Sequence, residues 1–368
     1  MNQIAIIYNS YYDFEAKKIT IGGIQAYITN LVEIINQLGY KVTIFQTGKY
    51  DNTAILGESK IQQFAYKSVS NKKFLQRVCQ TLDVDKSLVI FATDCIIPYN
   101  IPFKHTIAIQ HGISWDMPRS KNRPQLLMYL AKARRNWSII RKVNSVDKVV
   151  CVDYNFINWL RAEVDKVNAN LVVIPNYTEI ALAEDKPKDC INIIFARRLW
   201  WYRGTRVFAD AIVPILQNYP NVNVTIAGSG PDEAYLHDRL GSFENIIFTT
   251  YESSQSMAIH ADKHIAVVPT IGSEGTSLSL LEAMSSQCAV IASNVGGMTN
   301  IILDGYNGKL VDAGDYKALK QALEGFIENP TLLKNMSKKA YETVKSAFSY
   351  EKWREKWVDV IEEMMEND

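Results

Sequence analysis

The sequence predicts an α/β protein made of two doubly wound, Rossmann-like domains in tandem. Three observations lead there. Short, β-branched, nearly continuous apolar runs alternate with stretches of helical periodicity, as strands buried on both faces of a parallel sheet do. The alternation occurs twice, in two series of similar length separated by the polar stretch TEIALAEDKPKD at 178–189. The chain has 368 residues, 47% of them apolar, which is enough for two domains with a core each.

The first series reads as strands at 4–8 (IAIIY), 41–45 (KVTIF), 87–93 (SLVIFAT), 106–110 (TIAIQ), 148–152 (KVVCV) and 171–176 (LVVIPN). Between the first two lies a helix over 23–38, where Ile24, Ile28, Leu31, Ile34, Ile35 and Leu38 keep helical spacing. The second series reads as strands at 191–196 (INIIFA), 222–228 (VNVTIAG), 245–250 (NIIFTT), 264–270 (HIAVVPT) and 288–293 (CAVIAS). A last helix over about 350–366 carries Trp353, Trp357, Val360 and Ile361 on one side. The domains are expected at 1–177 and 190–345, followed by a C-terminal helical segment at 346–368. Ligands of such sheets bind beyond the carboxyl ends of the strands, so the expected site is a cleft between the two domains.

Composition narrows the function classes. A net charge of +1 gives no sign of nucleic-acid binding. The five cysteines are scattered and never paired as C-x-x-C, which argues against zinc and disulfides and for a reducing cytoplasm. The N-terminal residues MNQIAIIYNS lack the basic and apolar regions of a secretion signal, and no apolar run is long enough to span a bilayer.

The most informative stretch is SEGTSLSLLEAM at 273–284. Glu274 falls in a loop after a strand, and a helix is expected from Thr276 or Ser277 with Glu282 between one and two turns inside it. The amides from Gly275 to Leu278, with Thr276 and Ser277 between them, can hold an anion at the positive end of that helix. The two acids can accept hydroxyls, and an anion beside hydroxyls describes a sugar nucleotide. The plainer reading is a loop acid and a solvated helix acid.

Before it, FARRLWWYRGTRVFADAI places Arg197, Arg198, Arg203 and Arg206 after a strand and into a helix, and clustered guanidiniums suit a diphosphate. Trp200 and Trp201 read as core packing, with packing at the domain interface as the alternative. Gly22 and Gly23 precede the first long helix, as a phosphate-approach turn or a plain tight turn. The dinucleotide fingerprint is absent, which disfavours a nicotinamide oxidoreductase. His111 follows a strand and can meet a sugar hydroxyl or a phosphate, or serve as a structural polar residue. The stretch 117–146 carries Arg119, Lys121, Arg123, Lys132, Arg134, Arg135, Arg141 and Lys142 without an acid, with Leu126, Leu127, Leu130 and Trp137 among them. It reads as a surface for an anionic membrane, with a solvated face or a groove for an anionic acceptor as alternatives.

Together VIPNYTE, RRLWWYRG, VTIAGSGPDE and the run from VVPTIGSEGTSLSLLEAM through NVGGMTNIILDGYNGKLV resemble the GT-B glycosyltransferases of family 4. The likeness is strong over about 190–312 and rests on the Gly22-Gly23 turn and His111 before that. It implies a GT-B fold whose C-terminal helix crosses back to the first domain, and a retaining transferase that requires no metal. It implies a sugar-nucleotide donor, with UDP-sugar favoured over GDP- or dTDP-sugar, and a glycan or lipid-linked acceptor. Carried onto this chain, Arg198 and Arg203 would bind the donor diphosphate, Arg203 replacing the usual lysine. Glu274 would contact donor-sugar hydroxyls and Glu282 the ribose. The amides of Gly275, Thr276, Ser277 and Leu278 would meet the sugar and distal phosphate. Gly23 would touch the phosphate from the other domain, His111 would sit near the transferred sugar, and Tyr251 would lie beside the base. The sequence departs from the pattern at Gln287-Cys288-Ala289, where Gly-x-Pro is usual, at Asn300, where an acid is usual, and at Thr276 and Ser277. The setting implied is bacterial surface-polysaccharide or glycolipid synthesis, in the cytoplasm or on the cytoplasmic face of the membrane. The alternatives are a GT-B-like sugar-nucleotide epimerase, for which Asp13, Asp94 and Asp116 are the available first-domain acids, and a non-catalytic sugar-nucleotide-binding subunit.

Overall fold

The structure is a computed structural model that describes residues 3–20, 22–113, 124–182, 185–272 and 274–366. It divides into two compact units, the first formed by Met1–His111, Ser120–Ile174 and Arg354–Asp368, the second by Gly112–Arg119 and Pro175–Trp353.

The first unit contains β1 (Gln3–Ile7), α1 (Gly23–Gln37), β2 (Val42–Thr47), β3 (Asn52–Leu56), β4 (Ser59–Phe64), α2 (Lys72–Thr81), β5 (Ser87–Phe91), β6 (His105–Gln110), α3 (Gln125–Val143), β7 (Lys148–Cys151), α4 (Tyr154–Glu163) and β8 (Asn170–Val173). Its sheet runs β3-β4-β2-β1-β5-β6-β7-β8, parallel throughout except where β3 meets β4. All six strands read from the first series are present. The β3–β4 hairpin is an addition that the search for continuous apolar runs passes over: β3 alternates exposed and half-buried residues on the sheet edge.

The second unit contains β9 (Ile191–Ala196), α5 (Thr205–Asn218), β10 (Val222–Ala227), α6 (Glu233–Leu240), β11 (Ile246–Thr249), α7 (Ser256–His260), β12 (Ile265–Val268), α8 (Leu278–Ser285), β13 (Ala289–Ser293), β14 (Lys309–Val311), α9 (Tyr316–Ile327) and α10 (Pro330–Ala347). Its sheet is all parallel, in the order β11-β10-β9-β12-β13-β14. One core lies between the sheet and α5, α6 and α9, another between the sheet and α8 and α10. Strands covered on both faces explain why β9, β12 and β13 read as nearly continuous apolar runs.

The polar stretch after the first series is bound rather than loose. Thr178 N–H donates to Phe348 O at 3.0 Å, and Ala181 N–H to Ser285 Oγ at 2.9 Å. The Lys186 ammonium reaches Ser286 O at 3.0 Å and Gln287 O at 2.7 Å, beside the C-terminus of α8. The last helix, α11 (Tyr350–Glu366), buries Trp353, Trp357, Val360 and Ile361 as its spacing predicts. From Arg354 onward it belongs with the first unit, where Trp357 bonds Tyr27 in α1 and Glu363 pairs with the buried Lys148 of β7. Among the described residues no helix is long and apolar enough to cross a membrane.

Candidate active site

In the second sheet the chain runs outward from β9 to β10 and β11, then returns to lay β12 on the other side of β9. The crevice beyond the carboxyl ends of β9 and β12 is therefore the switch point where a doubly wound sheet binds its ligand. The loops after these strands carry Arg197–Gly204 and Pro269–Ser277. Gly204 has φ +85°, and a Cβ there would lie 1.8 Å from Pro269 O, so only glycine lets the two loops touch. The Ile271 N–H donates to Tyr202 O at 2.8 Å and joins them directly.

Glu274 is the centre of this junction. Arg197 Nη2 donates to its two carboxylate oxygens at 3.1 and 2.8 Å, while Arg197 Nη1 donates to Thr270 Oγ1 at 2.5 Å. Arg203 Nη1 lies 2.7 Å from Glu274 Oε1. The hydroxyls of Thr270 and Ser277 add bonds at 2.8 and 3.1 Å. Burial alone would raise the Glu274 pKa, but the Arg197 and Arg203 charges outweigh it and bring the carboxyl down to about 2. The same burial lowers the Arg197 pKa, and the Glu274 charge opposes that. One carboxylate between two guanidiniums leaves the trio with net positive charge. Arg197 has a side chain 4% exposed and Arg203 one 26% exposed, so Arg203 is the member open to a ligand.

The trio adjoins the start of α8, with Ser277 as the preceding residue and Leu278 as the first helical one. Gly275 and Thr276 form the approach. Glu274 O accepts from Gly297 N at 2.6 Å, and Thr276 O from Asn176 Nδ2 at 2.8 Å. A Cβ on Gly297 would come within 2.5 Å of the Gly275 carbonyl, which explains the glycine pair that follows β13. Glu282 is the fifth residue of α8 and half-buried, and burial raises its pKa. Tyr251, after β11, has its phenol pushed up by burial and by the neighbouring Glu282 carboxylate.

In the first unit the order reverses between β1 and β5, and Gly23 and His111 belong to connections near that point. Gly23 opens α1. His111 follows β6, is half-buried, and bonds Ala92 O beside the end of β5 through Nε2 at 2.9 Å. Burial brings its imidazole down to about 4. Asp94 is raised to about 6 by burial, whereas Asp13 is engaged in its own loop, accepting from Lys17 N at 2.8 Å. Asp116 and Ser273 lie outside the described residues.

Residues 176–343 match the family model described as glycosyl transferases group 1. The matched region lies within the second unit, and the chain has a GT-B-like fold. The fold is shared over 100% of both chains with a solved sucrose-phosphate synthase from Thermosynechococcus elongatus, at a TM-score of 0.75 and 17% identity. Anabaena HepE, solved in complex with UDP-glucose, gives a TM-score of 0.72 at 14% identity, over 98% of this chain and 99% of that one. A phosphatidyl-myo-inositol mannosyltransferase of Mycolicibacterium smegmatis is 27% identical over 195 residues, 50% of this chain and 50% of the relative. The chain spans about half the length of the first curated relatives it matches.

On this fold the residues named from sequence divide. Arg203, Glu274, Gly275, Thr276, Ser277, Leu278, Glu282 and Tyr251 gather around the β9–β12 switch point. Arg198 is exposed, and the guanidinium on Glu274 is that of its neighbour Arg197. Arg197 N–H continues the sheet ladder to Ala227 O at 2.9 Å, and successive residues of an extended segment face opposite ways. The phase of β9 turns Arg197 inward to Glu274 and leaves Arg198 facing out. Arg206 turns elsewhere, its guanidinium 5.3 Å from the Tyr235 ring. Trp200 and Trp201 are not core residues: they stay 41% and 43% exposed, on the short turn that presents Arg203. Thr270 was not singled out from sequence, and a threonine ending an apolar strand carries no signal by itself.

Proposed function

We propose that this chain is a retaining glycosyltransferase that moves a sugar from a UDP-sugar to a hydroxyl of a glycan or lipid-linked acceptor. The observation that carries the reading is the Arg197–Glu274–Arg203 trio beside the first turn of α8. Its net positive charge and the helix amides suit a diphosphate, and the charge on that group grows as the glycosyl bond breaks. Arg203, the more exposed cation of the trio, and the exposed Arg198 are assigned to the diphosphate, and Glu274, aligned by four partners, to hydroxyls of the donor sugar. Glu282 is assigned to the ribose and Tyr251 to the neighbourhood of the base. Gly23 and His111 are assigned to the phosphate and sugar from the first unit. The leaving diphosphate oxygen takes the proton of the attacking hydroxyl, so the bond to the new acceptor forms on the face from which the old one departs. No side-chain nucleophile and no metal are required in this scheme. The UDP-glucose bound by Anabaena HepE, which shares the fold, supports the choice of base.

The acceptor side of the reading includes an anionic membrane surface. On α3, Leu126, Leu130 and Trp137 follow one another at helical spacing and are 70%, 59% and 58% exposed. Lys132, Arg134 and Arg141 are also exposed on this helix, and residues 124–146 contain no acid. An apolar stripe flanked by cations complements acyl chains below anionic headgroups. Arg119, Lys121 and Arg123 lie outside the described residues. The setting assigned is the cytoplasmic face of a bacterial membrane, in surface-polysaccharide or glycolipid synthesis.

A thermal-shift panel of nucleoside diphosphates and sugar nucleotides tests the donor assignment. UDP at a hundred times its Kd should add about 2.7 kcal/mol of stability. Equal stabilisation by GDP and dTDP would remove the choice of uridine, and no response to any of them would remove the function. Incubation with donor alone separates transfer from epimerisation.

A further inference from the structure

The ring of His111 is held from the direction of the C-terminal helix. Trp357, fully buried in α11, donates Nε1–H to the Tyr27 hydroxyl at 2.9 Å. The two rings also meet edge-on, with centroids 6.1 Å apart at 78°. Tyr27 lies in α1, is 6% exposed, and meets the His111 ring edge-on in turn, with centroids 5.3 Å apart at 86°. The far side of the imidazole is fixed by the 2.9 Å bond from Nε2 to Ala92 O. The ring is thus held between α1 and the end of β5, and α11 acts on it through Tyr27.

The chemistry of the ring follows from its last partner. A carbonyl oxygen only accepts, so Nε2 carries the proton. In a neutral imidazole the other nitrogen is then an acceptor. An acceptor lone pair repels phosphate oxygens and suits a hydroxyl proton. The sequence left His111 open between a sugar hydroxyl and a phosphate, and this tautomer selects the hydroxyl. Edge-on contact between Tyr27 and His111 opposes rotation of either ring, and the Trp357 bond fixes the phenol that makes the contact.

We propose that Tyr27 and Trp357 are positioning residues for His111, holding its imidazole in the Nε2–H tautomer so that Nδ1 accepts a hydroxyl of the sugar substrate. This rests on the reading that His111 meets substrate. The C-terminal helix then shapes the chemistry of the first unit as well as covering its sheet. Any movement of α11 would be felt at the ring through two contacts.

The test uses the full chain and ring-nitrogen NMR. The protein has five histidines, and His111→Gln assigns the one in question. Wild type should show the Nε2–H tautomer across the neutral range. Tyr27→Leu should give mixed tautomers, a higher ring pKa, and kcat lower by about tenfold, with donor KM and UDP affinity within about twofold. Tyr27→Phe keeps the edge contact but removes the acceptor for Trp357, and should fall between. If Tyr27→Leu is poorly folded, Tyr27→Phe and Trp357→Phe carry the same readouts. Wild-type tautomer and pKa in these variants would overturn the proposal, as would a tautomer change without a loss of kcat. Absence of transfer by the wild type would instead remove the substrate role of His111, which the NMR arm does not depend on.

Discussion

The two sheets handle their carboxyl ends in opposite ways. At the switch point of the second, the side chains are ionic: two arginines close on Glu274, and the ion pairs are sealed by Thr270 and Ser277. Near that of the first stands a neutral ring, His111, held by a carbonyl and by Tyr27. The difference teaches where each kind of ligand group is stabilised. A built positive charge suits a diphosphate, which is present in both ground and transition states. A neutral acceptor of fixed tautomer suits a hydroxyl, which needs direction more than charge.

The largest break in this comparison comes from Glu274. Glu274→Ala strands Arg197 in the interior, and removing one partner of a buried ion pair costs about 3–5 kcal/mol. Glu274→Gln keeps much of the hydrogen bonding and should unfold later in denaturant. It should still lower transfer by about a hundredfold, with UDP affinity nearly unchanged. Equal losses of UDP binding and transfer in Glu274→Gln would end the assignment of Glu274 to the donor sugar.

Acid reaches a buried imidazole in each unit before it reaches the ion pairs on Glu274. His111 and His260 are brought to about 4 by burial, from an ordinary value of 6.5. The unfolded chain therefore binds more protons between about pH 6.5 and 4, so stability falls as pH falls through that window. Glu274 adds its own loss only lower, from about pH 4.5 toward 2. Replacing His260 by Gln should flatten the upper part of the stability profile by about one proton, as read from denaturant midpoints. A profile unchanged by the substitution would contradict the burial assigned to that ring.

On the first unit, wild type should co-sediment with vesicles containing anionic phosphatidylglycerol at low salt. Each cation near the surface is worth about 1 kcal/mol, so changing Lys132, Arg134 and Arg141 together to Ser should reduce binding by about a hundredfold. UDP affinity should not change. Sedimentation that is equal with neutral vesicles, or absent at low salt, would leave α3 as a solvated face or a groove for a soluble acceptor.

The smallest effect distinguishes two neighbours. Arg198→Ala should lower UDP affinity by less than Arg203→Ala does, about twofold, because solvent screens its exposed charge. A loss equal to that of Arg203→Ala would make the two arginines equal ligands of the diphosphate.

This pair shows how far the sequence could be read. The strands of both parallel sheets were legible because burial on two faces leaves little but Val, Ile, Leu and Phe, and Glu274 with Glu282 was legible because a helix start has a recognisable chemistry. That Arg197 pairs with Glu274 was not, since Arg197 and Arg198 are adjacent and only the phase of β9 sends one inward. The β3–β4 hairpin was lost because its polar, half-exposed edge resembles a loop. Trp200 and Trp201 misled because large aromatics are ordinarily buried, and here a turn of three residues holds them out. The contact from Trp357 through Tyr27 to His111 joins residues far apart in the chain, and no local pattern announces it.

The account turns on the diphosphate site, and calorimetry of UDP and UMP on wild type and Arg203→Ala addresses it most directly. Wild type should bind UDP more tightly than UMP. Arg203→Ala should lose at least about tenfold in UDP affinity, roughly 1.4 kcal/mol, and keep its UMP affinity. Equal losses for both nucleotides, or a wild type that does not distinguish them, would contradict the claim that the trio at the β9–β12 switch point grips a diphosphate.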